Sequence, residues 1–118
     1  MIGKTEWVIP DGFMSDTKSE RYVSHEAVCV LNLNEKCANV KLEIYFEDKE
    51  PLLDFTAVCE AKRCNHIRLD KIENKAGMKI PHEVPYAILV KSDIPIIVQH
   101  SRMDVTQPNM TLMTTIAY

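Results

Sequence analysis

The chain has 118 residues and a mass of 13.5 kDa, with 46% hydrophobic and 26% charged residues. These values are typical of one folded domain, and they exclude intrinsic disorder, collagen and low-complexity repeats. The 14 basic and 17 acidic residues give a net charge of −3. Without a basic stripe, this balance argues against nucleic acid as the main partner.

No apolar run is long enough to cross a bilayer, and residues 1–7 lack the apolar core of a signal peptide. We therefore expect a cytoplasmic protein, in which the four cysteines remain reduced. Their spacing lacks the close Cys-x2-Cys pairs of structural zinc sites. The sequence accordingly predicts no metal and no cofactor.

Apolar residues recur with a period of two along most of the chain, which is typical of β-strands. The clearest case is Val40 to Glu47, where apolar and polar side chains alternate. The pattern predicts strands at 5–9, 22–32, 39–47, 53–60, 64–69, 86–91, 95–104 and 111–117. Many short strands separated by turns indicate an all-β fold, a single-domain antiparallel β-sandwich of about eight strands over residues 1–118.

Residues 10–20 and 70–85 have no clear period and are predicted to be long loops, which often carry function. Three predicted strand segments, 27–31, 87–90 and 94–98, are apolar on both faces. One face of a sandwich strand normally meets water, so these segments need a second cover. We expect a homo-oligomer; the alternative is that the two long loops cover these faces.

Polar side chains gather near the ends of three predicted strands. Ile94, Ile96 and Val98 share a face with His100, Arg102 and Asp104, because side chains alternate along a strand. The His-x-Arg spacing recurs at His66 and Arg68, and His25 and Glu26 open another strand.

If these strand ends meet, they form a polar pocket for a small molecule. Arginine offers a planar fork for carboxylate, phosphate or vicinal hydroxyl groups, and histidine donates or accepts near neutral pH. Trp7 could stack on a sugar ring. Each residue also has an ordinary structural explanation: an exposed ion pair between Arg102 and Asp104, or a tryptophan in the core.

Catalysis has little support in the sequence, and we predict that the protein is not an enzyme. There is no nucleophile elbow, P-loop or His-Glu-x-x-His motif. Ser24, His25 and Glu26 are contiguous, so their side chains point to opposite faces of a strand and form no triad. Two alternatives stay open: a metal-dependent enzyme using His25, His66 and His100, and a purely structural interaction module whose polar residues form interface salt bridges.

Several motifs along the chain together resemble those of the sensory rhodopsin transducer family. They are Trp7-x-Ile9-Pro10-x-Gly12-Phe13, Ser24-His25-Glu26-x-x-Cys29-x-Leu31-Asn32, Ile44-Tyr45-x-x-Asp48-Lys49-Glu50-Pro51, Arg63-x-x-His66-x-Arg68, Ile80-Pro81-His82, Gln99-His100-x-Arg102-x-Asp104 and Thr115-Ile116-Ala117-Tyr118. The likeness follows the chain in order over nearly its whole length.

The resemblance implies a small cytoplasmic β-sandwich that assembles as a tetramer. It implies a signalling role beside a membrane sensory rhodopsin or another receptor, and a polar site for a small molecule that is sugar-like or anionic. The family's polar residues correspond here to Trp7, His25, Glu26, Arg63, His66, Arg68, His100, Arg102 and Asp104.

Overall fold

The computed structural model describes residues 1–118 as seven β-strands. They are β1 (Lys4–Gly12), β2 (His25–Asn32), β3 (Ala38–Phe46), β4 (Leu52–Cys59), β5 (Arg63–Arg68), β6 (Tyr86–Asp104) and β7 (Thr111–Ile116). Every strand pairing is antiparallel. The prediction of an all-β, antiparallel, single-domain fold is therefore confirmed. The structure contains no helix that could span a membrane.

The long strand β6, with 19 residues, runs through both halves of a curled sheet. Its first half pairs with β3 and β1, and its second half pairs with β2 and β7. We call β4, β3, the first half of β6 and β1 the first wing. The second wing consists of β5, β2, the second half of β6 and β7.

The continuity of β6 corrects the predicted strand count from about eight to seven. The sequence analysis predicted 86–91 and 95–104 as separate strands. In the structure, pairing with β3 ends at Ser92 and pairing with β2 begins at Ile97. The β1 register also shifts between Lys91 and Ile96. No ladder bond is required from Pro95, so the strand continues through it.

The inner faces of the two wings enclose one hydrophobic core. The alternation predicted for β3 is observed, with Val40, Leu42 and Ile44 buried. They belong to the same cluster as Val28 and Val30 of the opposite wing. The two wings are thus the layers of the sandwich, and β6 joins them.

The segments that are apolar on both faces are only partly covered within one chain. On the outer face, Cys29, Leu89 and Ile97 are half-buried, and Leu31 keeps 39% of its surface exposed. The long loops do not supply the cover, because their apolar residues Met14 and Ile80 pack into the interior instead. An incompletely covered outer face therefore remains on both wings.

Candidate functional site

A buried carboxylate, that of Glu26, gathers donors from three parts of the chain. Glu26 lies on the inner face of β2 and is fully buried. Its Oε1 accepts a hydrogen bond from the Tyr86 hydroxyl, and its Oε2 accepts from Arg102 Nε at 2.5 Å and from the Phe13 backbone N–H at 3.0 Å. Charged hydrogen bonds of this kind compensate the cost of removing a carboxylate from water. We call Glu26, Tyr86, His100 and Arg102 the Glu26 cluster.

The balance of burial and contacts fixes the charge states in the Glu26 cluster. Burial alone would raise the pKa of the Glu26 carboxyl, but contacts with His100, Tyr86, Phe13 and Arg102 together lower it below its ordinary 4.5. Burial and then the neighbouring carboxylate raise the pKa of Tyr86. Burial would lower the pKa of Arg102, yet Glu26 raises it. Glu26 and Arg102 are therefore charged, while Tyr86 keeps its proton as a donor.

His100 connects the Glu26 cluster to the surface. Its side chain is almost completely buried, and its Nε2 lies 3.3 Å from Glu26 Oε1. The separation is that of an ion pair, but the angles do not make a hydrogen bond, so Nε2 is a buried polar atom without a hydrogen-bond partner. His100 is also among the residues that line a cleft open to solvent.

This cleft, which we call the β1–β7 cleft, has a volume of about 230 Å³. Val8 and Tyr118 exchange backbone hydrogen bonds of 2.8 and 3.0 Å at its closed end. Continuing that antiparallel register places Pro10 opposite Ile116. Proline has no N–H to donate, so the two segments separate there. The cleft is lined by Val8, Ile9, Pro10, Asp11, His100, Met113, Thr115, Ile116, Ala117 and Tyr118.

Charged groups lie at the rim of the β1–β7 cleft. Asp11 lines it, and the Asp11 carboxylate lies 3.5 Å from Arg102 Nη2. Arg102 and Asp104 line a neighbouring depression. Hydrogen bonds from Thr106 lower the pKa of Asp104. The guanidinium of Arg102 thus already has two carboxylate partners, Glu26 and Asp11.

The structure brings together three of the predicted site residues, Glu26, His100 and Arg102, with Asp104 at the rim. It places His66 and Arg68 elsewhere. On the ladder, His66 lies opposite Cys29, which in turn lies opposite Gln99, whereas His100 lies opposite Val28. Because successive residues point to opposite faces, His66 and Arg68 are on the outer face and His100 and Arg102 on the inner one.

The prediction that the two His-x-Arg pairs meet in one hollow is therefore wrong. A repeated spacing fixes which residues of one strand share a face, but the register between strands decides which face that is. Arg68 instead forms a two-pronged ion pair with Asp70, with both N···O distances 2.8 Å.

His25 and Arg63 are also outside the cluster. His25 lies on the outer face opposite Met103, and its Nδ1 donates to the Val23 carbonyl at 2.8 Å. Arg63 is exposed beside the β4–β5 turn and donates to the Lys62 carbonyl. The three histidines of the metal-enzyme alternative thus do not converge, and no group of three His, Cys, Asp or Glu side chains is placed to hold a metal ion.

Trp7 is part of the core, so its prediction as a stacking platform is wrong. Only 8% of its surface is exposed. Its Nε1–H is shared between the carbonyls of Ile96 and Lys4, both at 3.0 Å. The Lys4 ammonium lies 4.5 Å from the ring centre, so that side of the indole is already covered.

The sequence analysis missed four contributors to the site: Tyr86, Asp11, the Phe13 amide and Thr115. One signal could have led to the first of them. Glu26 occupies the same alternation as Val28 and Val30, and a glutamate on the buried face of a strand requires donors nearby. Tyr86 has the matching alternation on β6. The loop amide and the cleft walls carry no comparable signal.

Comparison with known proteins identifies a family and similar solved structures. A family model described as "Anabaena sensory rhodopsin transducer" matches residues 2–118. The structure titled "Crystal Structure of Thermotoga maritima 1070" is 36% identical with a TM-score of 0.90, covering 100% of this chain and 96% of that one. The structure titled "Anabaena sensory rhodopsin transducer" is 34% identical with a TM-score of 0.77, covering 91% and 94%. No curated protein sequence matches.

The Glu26 carboxylate gives a testable dependence of stability on pH. Its pKa is lower in the folded chain than its ordinary value of 4.5. Its stabilising contribution is therefore complete above about pH 4.5 and is lost as the pH falls through the folded pKa. We expect urea unfolding between pH 7 and pH 3 to show that the free energy of unfolding decreases less with falling pH for Glu26→Gln than for the wild type.

Two results define this test. Glu26→Gln should also lower the stability at pH 7, by about 3 kcal/mol, because it leaves Arg102 without its buried counter-charge. The control Glu50→Gln changes an exposed glutamate in the β3–β4 turn, and its free energy of unfolding should depend on pH as that of the wild type does. Equal slopes for wild type and Glu26→Gln would contradict the assignment.

Proposed function

Because the chain belongs to the Anabaena sensory rhodopsin transducer family, we propose that it is a non-enzymatic, cytoplasmic signal-transducing module. It binds a small molecule in the β1–β7 cleft, works as a homo-oligomer and passes a signal on from a membrane receptor. The observation that carries the binding role is His100, which is among the residues lining the cleft and whose buried Nε2 lies 3.3 Å from Glu26.

The chemistry of the β1–β7 cleft favours a neutral, polyhydroxylated ligand over an anion. Asp11 lies at its rim and Glu26 behind it, while Arg102, the nearby guanidinium, is paired with both carboxylates. An incoming anion would meet two negative groups and a cation that is already neutralised. A sugar-like molecule could use the Thr115 hydroxyl and the Asp11 carboxylate, with its apolar face on Ile9 and Met113.

A ligand bound in the β1–β7 cleft would affect the rest of the domain through the contacts that Asp11 and Phe13 make with the Glu26 cluster. Asp11 contacts Arg102, and the Phe13 amide donates to Glu26, so the loop that follows β1 rests on the Glu26 cluster. A ligand that moves Asp11 would alter the ion pair between Asp11 and Arg102, and through Arg102 the contact with Glu26. This connection supports a signalling role in which occupancy of the cleft alters the 10–13 segment.

Assembly into an oligomer, which we propose to be a tetramer, is supported by the uncovered outer faces. Leu31 is 39% exposed, Leu112 66% and Ile116 65%, all on the outer face of the second wing. Apolar side chains grouped on one face of a soluble protein mark an interaction surface.

The receptor we propose is a membrane sensory rhodopsin or a related receptor. The support is the likeness to the Anabaena sensory rhodopsin transducer at 34% identity over most of both chains. Residues 19–22, in the loop between β1 and β2, and the 105–110 segment together border an open cleft of about 550 Å³. Loops on a rigid scaffold are common contact sites, so this cleft is the surface we assign to the receptor.

We expect neutral monosaccharides to raise the melting temperature, and simple carboxylates and phosphate to leave it unchanged. Thr115→Val, which removes a hydroxyl from the cleft wall without changing its volume, should abolish the shift produced by an active sugar. The matched control Thr56→Val, on the exposed face of β4, should keep it. The small-molecule role fails if no sugar shifts the transition, or if Thr115→Val responds like the wild type.

The assembly is tested by sedimentation equilibrium of the wild-type chain between micromolar and millimolar concentrations. We expect a mass near four times the 13.5 kDa of one chain. A single-chain mass throughout that range would overturn the oligomer.

The receptor role is tested with a microbial sensory rhodopsin reconstituted in nanodiscs. We expect the protein to bind, with an affinity that differs between illuminated and dark samples. Arg21→Glu in the loop end should weaken binding at least tenfold, whereas Arg63→Glu at the distant β4–β5 turn should not. Absence of binding in both light and dark removes the rhodopsin from the proposal.

A further inference from the structure

We infer that the contact between residues 14–16 and residues 82–83, which we call the loop clasp, is a conformational switch that couples the β1–β7 cleft to the cleft assigned to the receptor. This inference rests on the proposed function and adds to it the element through which the two clefts communicate. The loop clasp opens when the Phe13 amide is displaced from Glu26, and its opening releases the segment that follows.

Backbone and side-chain contacts both form the loop clasp. The Glu83 N–H donates to the Met14 carbonyl at 2.8 Å. Glu83 Oε1 accepts from the Asp16 N–H at 3.0 Å and from the Ser15 hydroxyl at 3.3 Å. His82 Nδ1 donates to the Ser15 carbonyl at 3.1 Å and lies 3.6 Å from the Asp16 carboxylate. Two residues of one loop thus hold three consecutive residues of the other.

The loop clasp closes a ring that begins at the Glu26 carboxylate. The Phe13 amide and the Tyr86 hydroxyl both donate to that carboxylate. Asp16 lies three residues after Phe13, and Glu83 lies three residues before Tyr86. The two segments that leave Glu26 therefore meet again at the loop clasp. Because the ring is short, a displacement at Glu26 changes the geometry at the loop clasp.

The buried Met14 side chain fixes the point about which this segment turns. Met14 belongs to the hydrophobic core and is 1% exposed, whereas Phe13 before it is half-buried and Asp16 after it is exposed. Displacement of the Phe13 amide therefore reorients the Ser15 and Asp16 groups rather than shifting the loop as a whole. Those are the groups that the Glu83 carboxylate holds.

The backbone of Glu83 has a conformation that depends on the loop clasp. Its φ is +60°, in the left-handed region that residues other than glycine rarely adopt. Such a conformation has a free-energy cost and persists where surrounding contacts hold it. Glu83 is exposed, so core packing does not secure its side chain. Exposed hydrogen bonds of this kind open at a lower free energy than those of core strands. The loop clasp can therefore open while the sheet stays intact.

The segment that follows the loop clasp reaches the cleft assigned to the receptor. The Ser24 N–H donates to the Thr17 carbonyl at 3.0 Å, so residues 17–24 form a small hairpin. Its turn, residues 19–22, borders that cleft. The Thr17 N–H donates to the Ser15 hydroxyl at 3.0 Å, which joins the hairpin to the loop clasp. The position of the hairpin therefore depends on whether the loop clasp is closed.

The segment that precedes the loop clasp reaches the β1–β7 cleft. Asp11 lines that cleft, and Phe13, two residues further, is held by Glu26. Residues 11–22 are thus one continuous segment with a cleft at each end and the loop clasp between them. A small molecule that displaces Asp11 opens the loop clasp and moves the hairpin. Because such coupling is reciprocal, receptor binding changes the affinity for the small molecule by the same factor.

Amide hydrogen exchange measured by NMR tests the loop clasp without a ligand. Glu83→Ala removes the carboxylate but keeps a Cβ at positive φ. It should accelerate exchange of the Phe13 and Asp16 amides at least tenfold, with unchanged protection of the β2–β6 ladder. Glu83→Gln retains an acceptor oxygen and should give intermediate rates. The matched control Glu73→Ala, at an exposed glutamate of the same 70–85 loop, should exchange like the wild type.

The Phe13 amide decides this experiment, because its own acceptor on Glu26 is unchanged in Glu83→Ala. Faster exchange at Phe13 supports a ring in which the two contacts open together. Wild-type exchange at Phe13, with only the Asp16 amide accelerated, overturns the inference.

Binding measurements test the coupling between the two clefts. With the rhodopsin in nanodiscs, a sugar that raises the melting temperature should change the affinity of the wild type for the rhodopsin at least fivefold. In Glu83→Ala this ratio should fall to about one while each ligand alone still binds, and Glu73→Ala should keep the wild-type ratio. A wild-type ratio in Glu83→Ala overturns the coupling through the loop clasp.

The outcomes separate this inference from the proposed function. A wild type that binds both ligands without any mutual effect overturns the coupling and leaves both binding roles standing. Absence of sugar binding or of rhodopsin binding removes the corresponding part of the proposed function and the coupling with it. The exchange rates at Phe13 then still establish or exclude the joint opening.

Discussion

The buried carboxylate of Glu26 is the interaction on which the shape of this domain depends, because it joins the two ends of one strand. Tyr86 and Arg102 are sixteen positions apart on β6, a separation of about 50 Å if the strand were straight. Both donate to the same carboxyl group. The strand must therefore curl back on itself, and Glu26 holds it in that form while the Phe13 amide attaches the loop after β1. Glycine at position 12 completes the arrangement, since a Cβ there would overlap the Tyr86 ring.

The sequence was sufficient for the fold class, the position of most strands and the face on which His100 and Arg102 lie, because alternation is a local property. It was insufficient wherever the answer depended on pairing between strands. His66 and Arg68 repeat the spacing of His100 and Arg102 yet face the opposite way, as the register with Cys29 dictates. Residues 86–91 and 95–104 were predicted as two strands, but they are one, because pairing passes from β3 to β2 between Ser92 and Ile97. Trp7 gave no sign that Lys4 covers its ring.

The cleft and the Glu26 cluster are connected through a few atoms. Pro10 has no N–H to continue the pairing of β1 with β7, and His100 is among the residues that line the resulting cleft, although it is almost completely buried. Its Nε2 lies 3.3 Å from Glu26 without a hydrogen bond. A buried nitrogen without a partner has a free-energy cost, and the domain retains one beside the Glu26 carboxylate.

The continuity of β6 also determines how the domain comes apart. The strand supplies the central ladder of both wings, so neither wing can release its share of β6 without disturbing the other. Slow amide exchange in such an architecture reports global unfolding over both wings together, rather than two separate foldons. A perturbation that frays β6 in one layer would consequently lower the protection of amides against exchange in the opposite layer, so the two layers unfold as one cooperative unit.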